Sequence, residues 1–294
     1  MSILLKGCGR PVYGSVSSSS SSSSSSAPTT YLLDETGLGD SFAAYSRARK
    51  LRSAYGGSAF LVRRSSDDAT LAIGFDGTEN VDAPTLAPFC AGTDGYIVTE
   101  YDQSGNGRDR TQSLAGKQPK IVSSGSIITG ANGKPCGRYD GVDDFMQWNG
   151  SFGRPSTNLG VMTPRSYNDT DRWWDAGSGF PDNNVTYHTA NVWRLYAGGT
   201  KFSAALFTGV WKSVVTRINS SQTSCFQNET RWNATGQADY GSVNGFTEGA
   251  RATGNYNFPG DSSEHIVWNS SKSDADILTA TTNQAAFYAH FTPA

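Results

Sequence analysis

A chain of 294 residues with a formal net charge of −2 and only 17% charged residues carries no basic excess for nucleic acid or an anionic membrane. Its 33 glycines and 12% aromatic residues, with few charges, suit an all-β protein, in which turns are frequent and rings pack on sheet faces. No apolar run approaches the roughly 20 residues that span a bilayer, so no transmembrane segment is expected.

The N-terminal stretch MSILLKGCGRPVYGSV has a short apolar part, Ile3, Leu4 and Leu5, followed at once by Lys6. A secretory apolar region needs roughly 7–15 residues, so no signal peptide is expected. Ser17 to Ser26 is an unbroken run of ten serines followed by APTT. Such a segment buries no apolar surface and behaves as a solvated tether. The expected organisation is therefore an anchoring peptide over 1–16, a flexible linker over 17–30 and one main domain over 31–294.

The main domain opens with GDSFAAYSRARKLRSAYGG, whose spacing predicts a helix. Asp40 or Ser41 supplies the cap, and Phe42, Tyr45, Ala48, Leu51 and Tyr55 fall near one face. Arg47, Arg49, Lys50 and Arg52 are assigned to solvated faces, and Gly56-Gly57 ends the helix. Short strands are predicted next: AFLVRRS, ATLAIGF, GYIVTEY, PKIVSSG and RYDGVDDFMQW, then VWRLYAG, KFSAALF, WKSVVTRIN, SCFQNETRW and EHIVWNSS. Most alternate with period two between Gly, Asn, Asp or Ser turns. The final SKSDADILTATTNQAAFYAHF reads as a turn and a closing helix with Ile277 and Leu278 inward. About ten strands at this spacing predict an all-β two-sheet sandwich or barrel.

Three stretches carry a family resemblance. The run AAYSRARKLRSAYGGSAFLVRRSSDDATLAIGF together with YDQSGNGRDRTQ resembles the opening of the catalytic domain of α-L-arabinofuranosidase B. Many phage and bacterial surface proteins share that opening. NGKPCGRYDGVDDFMQW and NGFTEGARATGNYNFPGDSSEHIVWNSSKSDADI are similar to strands of concanavalin A-like lectin/glucanase domains. Together they cover about residues 40–290 and imply a concanavalin A-like jelly-roll β-sandwich. The arabinofuranosidases place their catalytic carboxylates in a W-I-M-A-D-x-E-N-G-like strand and a G-x-G-G-D-N-S-like turn, with a vicinal Cys-Cys pair in the pocket. None of the three occurs here: Cys225 stands alone, and no acidic residue lies between Asp182 and Glu229. No catalytic residue carries over.

Glycoside hydrolysis needs two carboxylates, about 5–5.5 Å apart for retention and about 6.5–9.5 Å for inversion. Glu229, Asp239, Glu248, Asp261 and Glu264 are the later candidates, and Glu264 sits where the lectin-like pattern carries a structural Glu. The histidines, His188, His265 and His290, show no paired spacing, and no GxSxG elbow is present. Cys8, Cys90, Cys136 and Cys225 are too dispersed for a CxxC metal site, and nothing in their spacing demands disulfides.

Sugar binding asks for aromatic faces beside amides and carboxylates in a loop. The stretch SYNDTDRWWDAGSGFPDNNVTYHTANVW supplies Tyr167, Trp173, Trp174, Asp175, Asp182, Asn183, Asn184 and Tyr187 as candidate carbohydrate-binding residues. The same two tryptophans would otherwise plug the sandwich or face a neighbouring subunit. In EYDQSGNGRDRTQ, Asp102, Ser104 and Asn106 alternate as in a calcium loop. Flanking helices and a Glu at position twelve are missing, so the preferred role is turn-building, with calcium as the exception. No other cofactor is expected. N-x-S/T sequons, among them those at Asn168, Asn184, Asn219, Asn228, Asn233 and Asn269, follow from turn composition.

A peptide anchor, a serine tether, no export signal and a sandwich without catalytic motifs point to a virion protein of a tailed bacteriophage, on capsid or tail. Residues 1–16 would dock on other virion proteins. The sandwich would be displayed as a homo-oligomer or in many copies, holding glycans weakly. The alternative is an arabinofuranosidase-like glycoside hydrolase acting on cell-surface polysaccharide.

Overall fold

The computed structural model describes residues 30–293 except 154, 168–170, 177–184, 190–191, 197–199, 206, 220–221, 236–242 and 252. The expected anchor and nearly all of the tether lie outside the described residues.

In chain order the strands are β1 (Ala43–Ser46), β2 (Phe60–Arg64), β3 (Thr70–Ile73), β4 (Gly95–Glu100), β5 (Arg110–Thr111), β6 (Lys120–Ser123) and β7 (Ser126–Ile127). They continue with β8 (Gly137–Arg138), β9 (Met146–Phe152), β10 (Ser156–Pro164), β11 (Arg172–Asp175), β12 (Val185–Thr189) and β13 (Val192–Tyr196). The last are β14 (Thr200–Ala205), β15 (Lys212–Ile218), β16 (Gln222–Gln227), β17 (Thr230–Thr235), β18 (Val243–Glu248) and β19 (Gly260–Trp268). Helix α1 (Ala83–Phe89) falls between β3 and β4, and α2 (Asp274–Tyr288) closes the chain.

All pairings between these strands are antiparallel. One sheet runs β1–β19–β10–β15–β16–β17. The other runs β14–β13–β12–β11–β18–β9–β5–β4–β2–β3. β6 pairs with β4 and β8, and β8 reaches β19, closing one side. The fold is thus an all-β antiparallel sandwich, as expected. Between the sheets, Tyr45, Met162, Val214 and Val267 meet Trp173, Trp174 and Phe246 in one buried cluster. On the outer face of the first sheet, Leu159, Val215, Ile266 and Trp268 are covered by Leu32, Leu33, Ile277 and Ala280. Ile277 points inward as predicted, whereas Leu278 is 51% exposed. Helix α2 starts with a reciprocal cap: the Ser273 hydroxyl accepts from the Asp276 amide, and the Asp276 carboxylate accepts from the Ser273 amide.

The predicted N-terminal helix is absent. Residues 43–46 form β1, paired along its length with β19 from Ala43↔Val267 to Ser46↔Glu264. All four residues are buried, Ala44 toward the outer cluster and Tyr45 toward the inner one. A strand covered on both faces shows no alternation, so its apolar residues mimic a helical stripe. The arginines given to solvent are inside: Arg47 and Arg49 are 1% and 3% exposed. Two predicted strands are also broken by turns. RYDGVDDFMQW divides into β8 and the start of β9 around a turn near Asp140, and SCFQNETRW is the β16–β17 hairpin with Asn228 at φ 54°.

β10 is buried at every position and lies at the centre of the first sheet. At Gly160 an added Cβ would sit 2.1 Å from Trp173 Cζ2 and 3.1 Å from the Glu264 carbonyl oxygen. Neither group has room to move, since Trp173 is fully buried and the carbonyl belongs to β19. Gly160→Ala is expected to cost about 3 kcal/mol by overpacking, read as a lower urea midpoint with unchanged slope. An unshifted midpoint would show that the two sheets part readily at this contact.

Candidate functional site

Fully buried charge ties the sheets together. Arg47, just after β1, holds Glu100 of β4 with Nε–Oε1 at 2.7 Å, and its Nη2 donates to the Tyr139 hydroxyl at 2.7 Å. It also reaches Glu248 of β18 at 3.4 Å. Arg110 of β5 bridges the same two carboxylates, and its Nη1 lies 2.9 Å from His265 Nδ1. A guanidinium has no acceptor, so Nδ1 must accept and the His265 proton sits on Nε2. Burial holds His265 below its ordinary pKa despite the neighbouring Glu248. Burial alone would raise Glu248, but Arg110 and Arg47 outweigh it and hold its carboxyl well below the usual range. These groups have no exposed surface on which to meet a substrate.

The catalytic candidates from the sequence fare unevenly. Glu248 belongs to that network. Glu264 is buried, accepting from Arg49 Nε at 2.6 Å and Gln284 Nε2 at 3.0 Å. Asp261 accepts a bidentate pair from Arg138, both bonds at 2.9 Å, and lies 3.3 Å from Arg165. Glu229 stands in the β16–β17 turn, and Asp239 lies outside the described residues.

The proposed carbohydrate-binding set also needs correction. Trp173 and Trp174 are 0% exposed and Asp175 is 1% exposed, salt-bridged to Arg172 at 3.0 Å. A register shift between Arg172 and Trp174 disturbs the alternation that would send adjacent side chains to opposite faces. Both indoles consequently enter the inner core, and neither can stack on a sugar. The Tyr167 hydroxyl accepts from the Phe207 amide at 2.8 Å. Asp182, Asn183 and Asn184 lie outside the described residues, as does the Tyr187 side chain.

The loop 100–112 is a latch. Asp102 Oδ1 accepts from the amides of Ala44 and Ser104, both at 2.9 Å, while Oδ2 accepts from the Ser104 hydroxyl at 2.7 Å and the Arg108 amide at 3.0 Å. Asn106 Nδ2 donates to the Ser41 carbonyl at 2.9 Å, and Gly105 and Gly107 turn the chain at φ 87° and 68°. Asp102, Ser104 and Asn106 thus spend their polar atoms on holding the entry to β1.

What sequence reasoning missed is a polar cavity of about 630 Å³ beside β2, β4, β6 and β8. Arg63, Tyr96, Lys120, Arg138, Asp144 and Arg165 line most of it, with Gly116 and Asp140. The turn DGVDD shapes one wall: Asp140 Oδ1 accepts from the amides of Val142, Asp143 and Asp144, and Asp144 Oδ2 accepts from the Asp140 amide at 3.0 Å. Burial, reinforced by Asp140 and Asp143, pushes the Asp144 carboxyl up to about 7. Oxygens of Asp140, Asp143 and Asp144 come within 4.8 Å of one another, so these are the described residues spaced to hold a cation. Asp144 can keep a proton near neutrality as a general acid does. Asp140 rises from the same turn, however, and does not face it across the cavity. The available signal was three acids within five residues beside a Gly, read at the sequence level only as a sandwich motif.

Residues 34–135 match the family model described as Alpha-L-arabinofuranosidase B, catalytic. The chain is 45% identical over 74 residues to an α-L-arabinofuranosidase of Hypocrea jecorina, covering 25% of this chain and 15% of that protein. It is 36% identical over 116 residues to α-L-arabinofuranosidase B of Emericella nidulans, covering 39% and 19%. The matches thus span less than a fifth of these relatives. A solved arabinofuranosidase complexed with arabinofuranosyl-α-1,2-xylobiose superposes with a TM-score of 0.70 at 17% identity, over 88% of this chain and 65% of that one. A GH54 α-L-arabinofuranosidase soaked with a cyclic sulfate inhibitor gives 0.69, also at 17%, over 88% and 66%.

The chain therefore shares the β-sandwich fold of these solved structures, and its opening third resembles arabinofuranosidase B specifically. These findings overturn the expectation of a bacteriophage virion protein: the family model, the relatives and the structures named above are arabinofuranosidases, and none of them links the chain to a capsid, tail or particle. Among the described residues no helix is long and apolar enough to cross a membrane.

Proposed function

We propose that this chain acts on arabinofuranosyl-bearing polysaccharide as a glycoside hydrolase of the arabinofuranosidase kind. The observation that carries the reading is the match of residues 34–135 to the arabinofuranosidase B catalytic model, supported by curated relatives at 36–45% identity. The sandwich continues through the rest of the chain with the same architecture as solved arabinofuranosidases. In this reading residues 31–294 are the glycan-directed domain and the Ser-rich 17–30 is a tether giving it reach.

A second reading is favoured by one observation: Glu248, Glu264 and Asp261 are all committed to arginines. Carboxylates committed in this way hold a fold together rather than flank a scissile bond. The second reading is glycan binding without turnover. Incubation with 4-nitrophenyl α-L-arabinofuranoside separates the two. Nitrophenol release proportional to protein supports the hydrolase. Binding of the glycoside without release supports the second reading, and neither release nor binding removes both. Loss of activity in Glu264→Gln would not identify a catalyst, because that change also unpairs buried Arg49.

A further inference from the structure

We propose that the cavity beside β2, β4, β6 and β8 is a binding site for a neutral polyhydroxylated ligand, a saccharide unit, held by oriented arginine and carboxylate groups. Its size falls within the roughly 300–1,000 Å³ usual for small-molecule sites.

The chemistry of the walls selects the ligand class. Each cation is fixed by a carboxylate or carbonyl: Arg138 by Asp261, Arg165 by Asp261 and the Tyr139 carbonyl, Lys120 by Asp94 at 2.7 Å, and Arg63 by Asp68 at 2.6 Å. Asp68, Asp94 and Asp261 sit directly against these cations, which weakens the field an anion would feel. Tyr96 offers an aromatic wall, with Arg63 and Lys120 packed 5.1 and 5.4 Å from its ring centre, so apolar surface lies beside the polar groups, as a sugar ring with its apolar face requires. What the cavity offers is a set of rigid donors and acceptors. Among the described residues, Nη1 of Arg138 and of Arg165 has no protein acceptor, and Asp144 Oδ1 and Asp140 Oδ2 have no protein donor. Hydroxyls donate and accept at once, so a sugar ring satisfies both kinds of group, whereas a simple anion or cation satisfies one. Because the groups are already held by their partners, little side-chain entropy is lost on binding.

This inference rests on the proposed function only for the choice of sugar. The test uses the full chain titrated with arabinofuranosyl-α-1,2-xylobiose, with sodium glucuronate and inorganic phosphate as anion controls. The blocking variant is Gly116→Phe: Gly116 lines the cavity, takes part in no ion pair, and an added Cβ there meets nothing within 4 Å, so a bulky side chain can be placed at the cavity wall. The expected result is saccharide binding by the native chain, weakened at least tenfold in the variant with its melting temperature unchanged. Tighter binding of either anion than of the oligosaccharide, no saccharide binding by the native chain, or equal binding by Gly116→Phe would overturn it. If the variant melts early, Arg165→Met serves as the second blocking change, read the same way. Arabinose release is scored separately. Release with no effect of blocking the cavity sinks this site and leaves the hydrolase standing; cavity-dependent binding without release does the reverse.

Discussion

Glu248→Ala is expected to cost about 3–5 kcal/mol, the largest loss from any single carboxylate in the chain. The reason is what it leaves behind. Arg47 and Arg110 are 1% and 0% exposed, and without Glu248 the two guanidiniums share Glu100 alone. One cation is then buried without compensation, and the His265 ring loses its acidic neighbour at 3.6 Å. The pH dependence carries the opposite sign from that of a buried neutral acid. Glu248 has a depressed folded pKa, so its contribution is complete above the unfolded value, near ~4.3, and is lost as pH falls toward the folded value. Urea unfolding at neutral pH measures the loss. A cost below about 1 kcal/mol would mean that water enters the network and solvates the arginines.

Asp144→Asn is expected to stabilise the chain, and only above mid-range pH. Asp144 is raised from 3.8 to about 7, so the folded state binds its proton more tightly than the unfolded state does. Below the unfolded value both states are protonated and the carboxyl has no effect. As pH rises from ~4 toward 7 the unfolded chain ionises first, and stability falls across that window. The full penalty at pH 8 is of order 4 kcal/mol as an upper bound, since each unit is worth about 1.4 kcal/mol. Asparagine keeps an oxygen to accept from the Asp140 amide and removes the charge beside Asp140 and Asp143. Melting curves of the two proteins should nearly coincide at pH 4 and separate by several degrees at pH 8. Parallel curves across the range would show that Asp144 is solvated and titrates normally.

How far the sequence announced this structure depends on where each residue's partner lies. Strands such as β2 and β4, which combine local alternation with nearby turn residues, were legible, as was α2. β1 was not. Its strand partner, β19, lies more than 200 residues away, and the partners of Arg47 and Arg49 are Glu100, Glu248 and Glu264, all distant in the chain. Four basic residues in six positions look like a solvated face until those carboxylates are in place. Asp102, Ser104 and Asn106 were legible as turn-builders because their hydrogen bonds run partly within the loop itself. Trp173 and Trp174 were misread because a strand register shift leaves no mark in the sequence. The cavity draws its walls from β2, β4, β6, β8 and the residue after β10, so no single stretch contained it.

The most direct test of a glycan-directed sandwich is arabinofuranosyl-α-1,2-xylobiose incubated with the purified full chain, with bound ligand and released arabinose both quantified. The account predicts saturable binding with arabinose released in proportion to protein. Neither binding nor release at millimolar oligosaccharide would contradict it.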